Sequence, residues 1–179
     1  ANNIALLLML YYGSEEQKAT WVEKLAAGDA MFAFGITEPK HGSDATHMET
    51  VAHKTSNGWI IQGEKTWNSG IHSAPADLIF ARTSGKAGDA DGITAFLVPT
   101  DSAGFKLEEL LWTFNMPTDH GRVSLEKVRV PETSILGTEG KGLQIVQHFF
   151  NENRIRQAAS SLGAAQFCIW ESIEYAKKR

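Results

Sequence analysis

The sequence is poor in cysteine, with Cys168 as the one cysteine among 179 residues. A chain with a single cysteine forms no internal disulfide and offers no cysteine-based zinc site. It has no N-x-[ST] glycosylation sequon. It also has no apolar run of 18 residues, so we expect no membrane-spanning helix. The apolar start, residues 1–12, lacks the basic region and A-x-A exit of a signal peptide. We therefore expect a protein that is not secreted.

Basic residues are outnumbered, because 17 Lys and Arg stand against 21 Asp and Glu. The formal net charge is -4, and nucleic-acid binding needs a basic footprint, so we expect no nucleic-acid partner. No two of the six histidines form an H-E-x-x-H pattern, so we expect no metal site. The apolar set is 42% of the chain, which indicates a globular domain and argues against disorder.

Two helices are predicted at the start of the chain. Apolar residues recur at helical spacing over residues 4–11. Ser14, with Gln17 three residues later, forms the pattern of a capping box. Gly28 then predicts the end of the second helix.

The middle of the chain is predicted to be mostly antiparallel β structure, a barrel or a sandwich. Asn57-Gly58 is a strong signal for a two-residue hairpin loop. Pro131 predicts the end of the last strand. The predicted strands cover residues 51–55, 59–63, 78–81, 94–98 and 122–130.

The period becomes helical again from about residue 140 and stays so to the end of the chain. Such a helix is longer than the β part can cover, so most of its apolar face must pack on something else.

The segment FGITEPKHGSD, residues 34–44, is the densest functional signal. A strand leads into a turn in which Gly42 lifts the steric limit on the backbone, so that neighbouring N–H groups face an anion. Ser43 and Thr37 add hydroxyl groups. This loop suits a pyrophosphate and the polar edge of a flat ring, and an ordinary strand-turn fits the same pattern.

The segment KTWNSG, residues 65–70, is the second signal. Trp67 offers a flat face, and Ser69 offers a hydroxyl two residues later, on the same side of a strand. A ring lying on Trp67 would then receive a hydrogen bond from Ser69. A buried tryptophan at a strand end is the alternative interpretation.

In this order and spacing, the segments resemble the middle β domain of the acyl-CoA dehydrogenase family. TEPKHGSD at 37–44 is similar to the family's TEP-x-x-GSD, and GWIIQGEKTWNSG at 58–70 is similar to its K-x-W block. RVSLEKVRVPETSILGTEGKGLQI and NENRIRQAASSLGAAQ resemble two further blocks of the family in the family's order. The resemblance covers nearly the whole chain.

The resemblance implies an α+β fold class, a fragment of the family's α/β/α architecture in which an antiparallel β-barrel or sandwich is flanked by helices. Residues 1–30 would be the end of an N-terminal helical domain. Residues 31–136 would be the middle β domain. Residues 137–179 would be the first long helix of a C-terminal helical bundle.

The resemblance also implies FAD as the cofactor. Trp67 would cover the flavin ring, and Ser69 would bond flavin N5. Asn68, beside them, stands where Ile or Ser is common in the family. Thr37 would bond the pyrimidine edge of the ring. The remaining contacts would be Phe34 and Ile36 along the ring, with Ser43 and the N–H groups around Gly42 at the pyrophosphate.

An acyl-CoA thioester would be the substrate, contacted by Ser43, Asn151 and Arg154. The reaction would be α,β-dehydrogenation, with hydride passing to flavin N5. The catalytic base is unknown and is expected outside this chain, because most family members take a Glu from late in the bundle. A minority carry the base where this chain has Asn153, which cannot act as one. Glu152 is turned from that position by about 100° on a helix.

The resemblance further implies an electron-accepting flavoprotein as partner. It also implies a homo-oligomer, either a dimer or a tetramer. The compartment would be a bacterial cytoplasm or the mitochondrial matrix. Two alternatives remain open: a flavin oxidase or monooxygenase on the same fold, and a non-catalytic module that binds flavin or a CoA ester.

Overall fold

Three α-helices and eight strands are found in the computed structural model, which describes residues 2–113 and 119–179. The helices are α1 Asn2–Tyr12, α2 Glu15–Ala27 and α3 Gly142–Lys178. The strands are β1 Phe32–Gly35, β2 Val51–Thr55, β3 Gly58–Ser69, β4 Ala76–Arg82, β5 Ile93–Pro99, β6 Phe105–Leu111, β7 His120–Val130 and β8 Ile135–Leu136. The chain forms two compact units, Ala1–Val146 and Gln147–Arg179. The three domain ranges predicted from the sequence stay a prediction.

Helix α2 begins with the predicted capping box. The backbone N–H of Gln17 donates to the Ser14 side chain, and the Ser14 N–H donates back to the Gln17 side chain. The Gln17 amide also donates to the carbonyls of Thr133 and Ile135, 2.8 and 3.0 Å away. Gly28 ends the helix with a φ of 86°, as predicted. One side chain thus caps the helix and fastens it beside β8.

Replacing Ser14 with Ala should lower the free energy of unfolding by about 1 kcal/mol, because the N–H of Gln17 loses its acceptor. Ser14→Gly should cost only a few tenths of that amount, since glycine leaves the helix end open to water. Urea unfolding followed by circular dichroism measures both. Equal losses in the two variants would contradict a capping role for the hydroxyl.

The strands form one open sheet in the order β6-β7-β3-β2-β4-β5-β8, and β1 pairs with β4 beside this path. Most pairs are antiparallel, as predicted, but β1 and β2 each run parallel to β4. The predicted mixed α+β class is confirmed. Over the described residues the sheet path does not close, so the β domain is not a hydrogen-bonded barrel.

The β2–β3 hairpin is confirmed, but its loop is one residue earlier than predicted. Thr55 pairs with Gly58, which leaves Ser56 and Asn57 as the loop. Gly58 has a φ of 125°, and a Cβ there would lie 2.2 Å from the carbonyl oxygen of Val130. Gly58 is therefore the first residue of β3 and not part of the turn, and its lack of a side chain lets the end of β7 lie close to it.

The core of the first unit lies among β2, β3, β4, β5 and β7. Trp59 and Phe96 meet edge to face at its centre, with ring centroids 5.5 Å apart. Trp21 of α2 makes a similar contact with Phe32 of β1, at 5.0 Å. Buried apolar side chains of these strands complete the core, among them Ala52, Ile61, Ile79, Ala81, Val98, Val123, Leu125 and Val128.

The second unit is the continuation of α3, and it carries exposed apolar side chains. The most exposed are Ile155 and Leu162, each at 72%. No helix among the described residues is long and apolar enough to cross a membrane.

Candidate flavin-facing site

The two signal segments of the sequence lie side by side. The backbone N–H of Thr66 donates to the carbonyl of Thr37 over 2.9 Å, which joins the start of the TEP turn to β3 near the end of that strand. A Cβ built on Gly42 would lie 3.6 Å from the Thr37 methyl group, so the glycine loop also reaches this point. Thr37 is half-buried and lies where the two signal segments meet.

Trp67 occupies an irregular place in β3. The pairing with β7 shifts between Lys65 and Asn68, so β3 carries one residue more than its partner, as in a β-bulge. Trp67 has a φ of 64°, although a bulky residue rarely adopts the left-handed region. Its side chain is nevertheless 51% exposed. Strain of this kind, of order 1–3 kcal/mol, is often found at functional sites.

Ser69 and Trp67 are both exposed, as the predicted ring contact requires. The Ser69 Oγ lies 2.7 Å from the Nδ1 of His120, the residue that pairs with it on β7. The His120 ring also stands edge-on to Trp67, with ring centroids 6.3 Å apart. Sequence analysis missed His120. Its one available signal was its position two residues before the predicted strand 122–130.

The core side of the same segments holds a buried ion pair. Lys65 is fully buried, and its Nζ lies 2.8 Å from Glu38 and 3.3 Å from the carbonyl of Ile36. Glu38 also accepts from the backbone N–H groups of Glu49 and Thr50. Burial alone would raise the pKa of Glu38, but the Lys65 charge and these hydrogen bonds outweigh it and hold the pKa below its usual range. Burial lowers the pKa of Lys65, against the pull of Glu38.

A second buried pair lies under the bulge, where Asn68 Nδ2 donates to Asp77 of β4. Both side chains are fully buried. Burial raises the pKa of Asp77 to about 7, although the Asn68 hydrogen bond, the Lys65 charge and the Gly35 N–H each lower it. A Cβ on Gly35 would clash with Ile79 Cδ1 and would lie 3.2 Å from Asn68 Nδ2, so the glycine makes room for the side chains packed around this pair. The Asn68 side chain therefore faces the core, away from Trp67 and Ser69.

The loop after the TEP turn is held by its own side chains. Asp44 accepts from the N–H and hydroxyl of Thr46, and from His47 Nδ1 over 2.8 Å. Lys40 pairs with Glu49, so its charge is already matched. Ser43 and Gly42 are exposed.

Gly42 does not adopt the left-handed backbone that its predicted role assumed. Its φ lies outside the positive range, and a Cβ there would make one ordinary contact. The backbone conformation at Gly42 is therefore one that other residues can also adopt.

The remaining predicted contacts on the first unit differ in depth. Phe34 is half-buried on β1, while Ile36 is 5% exposed and offers its carbonyl to Lys65. Among the described residues, no group of three or more His, Cys, Asp or Glu is arranged to hold a metal ion.

Helix α3 carries the predicted substrate residues of the second unit. Arg154 donates to the Asn151 side chain over 3.2 Å, and its guanidinium lies over the Phe150 ring at 5.5 Å. Arg156 donates to Asn153 over 2.7 Å. Glu152 is exposed. The side chains of Arg154 and Arg156 are thus each held in place by a hydrogen bond to an asparagine of the same helix.

Two profiles of one protein family match the chain. The acyl-CoA dehydrogenase middle-domain profile matches residues 33–128, and the C-terminal-domain profile of the same family matches residues 140–179. The chain is 35% identical to the human mitochondrial short-chain specific acyl-CoA dehydrogenase over 99% of this chain and 43% of that protein. It spans less than half the length of the curated relatives that it matches.

Solved structures of glutaryl-CoA dehydrogenases are also similar to this chain. A glutaryl-coenzyme A dehydrogenase in complex with glutaryl-CoA superposes with a TM-score of 0.87 and 34% identity, over 98% of this chain and 45% of that one. A glutaryl-CoA dehydrogenase from Mycobacterium smegmatis in complex with FADH2 gives a TM-score of 0.69 and 36% identity, over 78% of this chain and 35% of that one.

Proposed function

The chain belongs to the acyl-CoA dehydrogenase family, and from this premise we propose that it supplies the flavin-facing and thioester-facing part of an FAD-dependent acyl-CoA dehydrogenase. The observation that carries the proposal is Trp67. This side chain is 51% exposed on a strained bulge, two residues before Ser69, and the preceding residue Thr66 is hydrogen-bonded to Thr37. A flat face bordered by hydroxyl groups fits an isoalloxazine ring, which is flat and has a polar edge.

The first-unit residues divide the binding of FAD among them. Trp67 covers one face of the ring, Ser69 hydrogen-bonds N5, and Thr37 hydrogen-bonds the pyrimidine edge. Asn68 was predicted to contact the ring, but its side chain lies buried beside Asp77, so it would hold the strand between Trp67 and Ser69 in place without touching the ring. The other contacts are Phe34 and Ile36 along the ring, and Ser43 with the N–H groups around Gly42 at the pyrophosphate.

When bound, FAD supplies the hydride acceptor for α,β-dehydrogenation of an acyl-CoA thioester. Ser43 contributes a hydroxyl to the CoA part of the substrate. Arg154 supplies guanidinium donors for a phosphate or the adenine edge, with Asn151 orienting it over 3.2 Å. The carboxylate that removes the α proton lies outside this chain.

The proposed enzyme works as a homo-oligomer, a dimer or a tetramer, and passes its electrons to an electron-accepting flavoprotein. Its compartment is a bacterial cytoplasm or the mitochondrial matrix. A flavin oxidase or monooxygenase on the same fold would share the cradle. Rapid reaction of the reduced flavin with O₂ would favour that alternative, and FAD binding without bleaching by any acyl-CoA would favour a binding module.

Trp67→Ala should weaken FAD binding roughly 5- to 100-fold, the value of losing one aromatic stacking face. The FAD-free protein titrated with FAD, followed by quenching of flavin fluorescence, gives the dissociation constant. Trp112→Ala is the matched control, because Trp112 is 80% exposed and lies outside the two signal segments. Equal FAD affinity in the Trp67→Ala variant and the wild type would overturn the proposed cradle.

Catalysis itself is tested by adding acyl-CoA thioesters to the FAD-loaded protein without oxygen. Bleaching of the visible flavin absorbance is the expected result with at least one chain length. Because the chain spans less than half of its relatives, this test needs the protein that also contains the base.

A further inference from the structure

The His120 ring is held beside Ser69 from several sides. Its backbone pairs with Ser69 of β3 on one side and with Leu111 of β6 on the other. The ring packs edge-on against Trp67, and its side chain is 24% exposed. These contacts fix the direction of the ring, so the 2.7 Å contact between Nδ1 and the Ser69 Oγ is a built feature of the strand pair.

Asp119 does not compete for the same nitrogen. Its carboxylate oxygen lies 3.9 Å from His120 Nδ1, which is beyond hydrogen-bond distance. Ser69 is therefore the hydrogen-bond partner that the structure gives to Nδ1.

The imidazole decides what the Ser69 hydroxyl can offer outward. A neutral imidazole has one donor nitrogen and one acceptor nitrogen, and a hydroxyl has one proton with two acceptor lone pairs. With the proton on Nδ1, His120 donates to Ser69, and the Ser69 proton is free to donate to a ligand. With the proton on Nε2, Nδ1 accepts the Ser69 proton, and Ser69 offers a ligand only lone pairs.

We propose that His120 is a positioning residue for Ser69, and that the two tautomers let this one hydroxyl donate to oxidised flavin and accept from reduced flavin. This inference rests on the proposed function, in which Ser69 faces N5. Oxidised N5 accepts a hydrogen bond, whereas reduced N5 carries a proton and donates one. The exchange of tautomers removes a proton from one ring nitrogen and adds one to the other, so the charge of His120 does not change.

The test measures affinity for FAD and for dithionite-reduced FAD in the full protein. His120→Phe keeps a ring against Trp67 but removes the hydrogen bond, and it should weaken both affinities about 3- to 10-fold. His120→Asn offers both a donor and an acceptor at the Nδ1 position, and it should stay within about 2-fold of the wild type. Thermal unfolding shows that both variants fold.

A background without the hydroxyl separates positioning from packing. In the Ser69→Ala protein, His120→Phe should change the FAD affinity less than 2-fold, since no hydroxyl remains to be oriented. The same loss in both backgrounds would overturn the positioning role. A loss confined to one oxidation state would overturn the two-way exchange.

Failure of this inference is distinguishable from failure of the proposed function. If Ser69→Ala and Trp67→Ala both leave FAD affinity unchanged, the cradle itself is wrong. If Ser69→Ala weakens FAD and His120→Phe does not, only the role of His120 is wrong.

Discussion

Replacing Glu38 with Gln should lower the free energy of unfolding by about 3–5 kcal/mol, because the fully buried Lys65 loses the carboxylate that neutralises it. The Glu38 carboxylate accepts from Lys65 and from the N–H groups of Glu49 and Thr50. An amide nitrogen cannot accept any of these hydrogen bonds. Urea unfolding of the full protein, followed by tryptophan fluorescence, measures the loss.

Glu49→Gln is the matched control, because it also removes one carboxylate from the same region. Glu49 pairs with Lys40 at the surface, with side chains 59% and 71% exposed, and such a pair contributes at most about 1 kcal/mol. The double variant of Glu38→Gln with Lys65→Met should recover part of the loss, since it removes the stranded charge as well. A loss below 1 kcal/mol in Glu38→Gln alone would contradict a charged buried pair.

This pair matters to function through the segments that it joins. Glu38 follows Thr37, and Lys65 precedes the bulge that exposes Trp67. The ion pair and the hydrogen bond from Thr66 to Thr37 therefore tie together the two halves of the proposed cradle.

The outward-facing part of the candidate site could be predicted from local sequence. Trp67 and Ser69 are two residues apart, and both are exposed, as alternation requires. The hairpin and the capping box were equally local, since their residues are three or fewer apart. In patterns of this kind, the residues are so close in sequence that the local backbone conformation alone sets their relative positions.

The inward-facing part could not be predicted. Strict alternation would place Lys65 on the same side as Trp67, but the bulge between Lys65 and Asn68 breaks the period and leaves Lys65 in the core. His120 is 51 residues from Ser69 in sequence and reaches it only through the register of β3 with β7. No sequence period encodes that register.

Two strands were also missed, for a related reason. β6, Phe105–Leu111, carries a lysine and two glutamates on largely exposed positions, and it pairs on one side with β7. β8, Ile135–Leu136, has two residues, which is too short for any period to appear. Both strands are defined by their partners in the sheet, so the sequence of the strand alone does not reveal them.

Replacing Asp77 with Asn should raise the free energy of unfolding, relative to the wild type, more at high pH than at low pH. The folded chain holds the Asp77 pKa at about 7, because burial disfavours the charged form, whereas an unfolded aspartate has a pKa near 3.9. Between these values the folded state binds more protons, so the wild type loses stability as the pH rises from about 4 to about 7. Asparagine has the same shape and stays neutral throughout.

The expected size follows from these two pKa values at about 1.36 kcal/mol for each unit. The free energy of unfolding of Asp77→Asn, taken relative to the wild type, should be about 2–3 kcal/mol higher at pH 8 than at pH 5. Lys65 and Glu38 face the same buried region, and they are present in both proteins, so their own titration largely cancels in the difference. Glu49→Gln controls for the change of one unit of charge. A difference between Asp77→Asn and wild type that stays constant from pH 5 to pH 8 would show that Asp77 does not hold a proton inside the fold, and that the Asn68 hydrogen bond is made to a carboxylate at every pH.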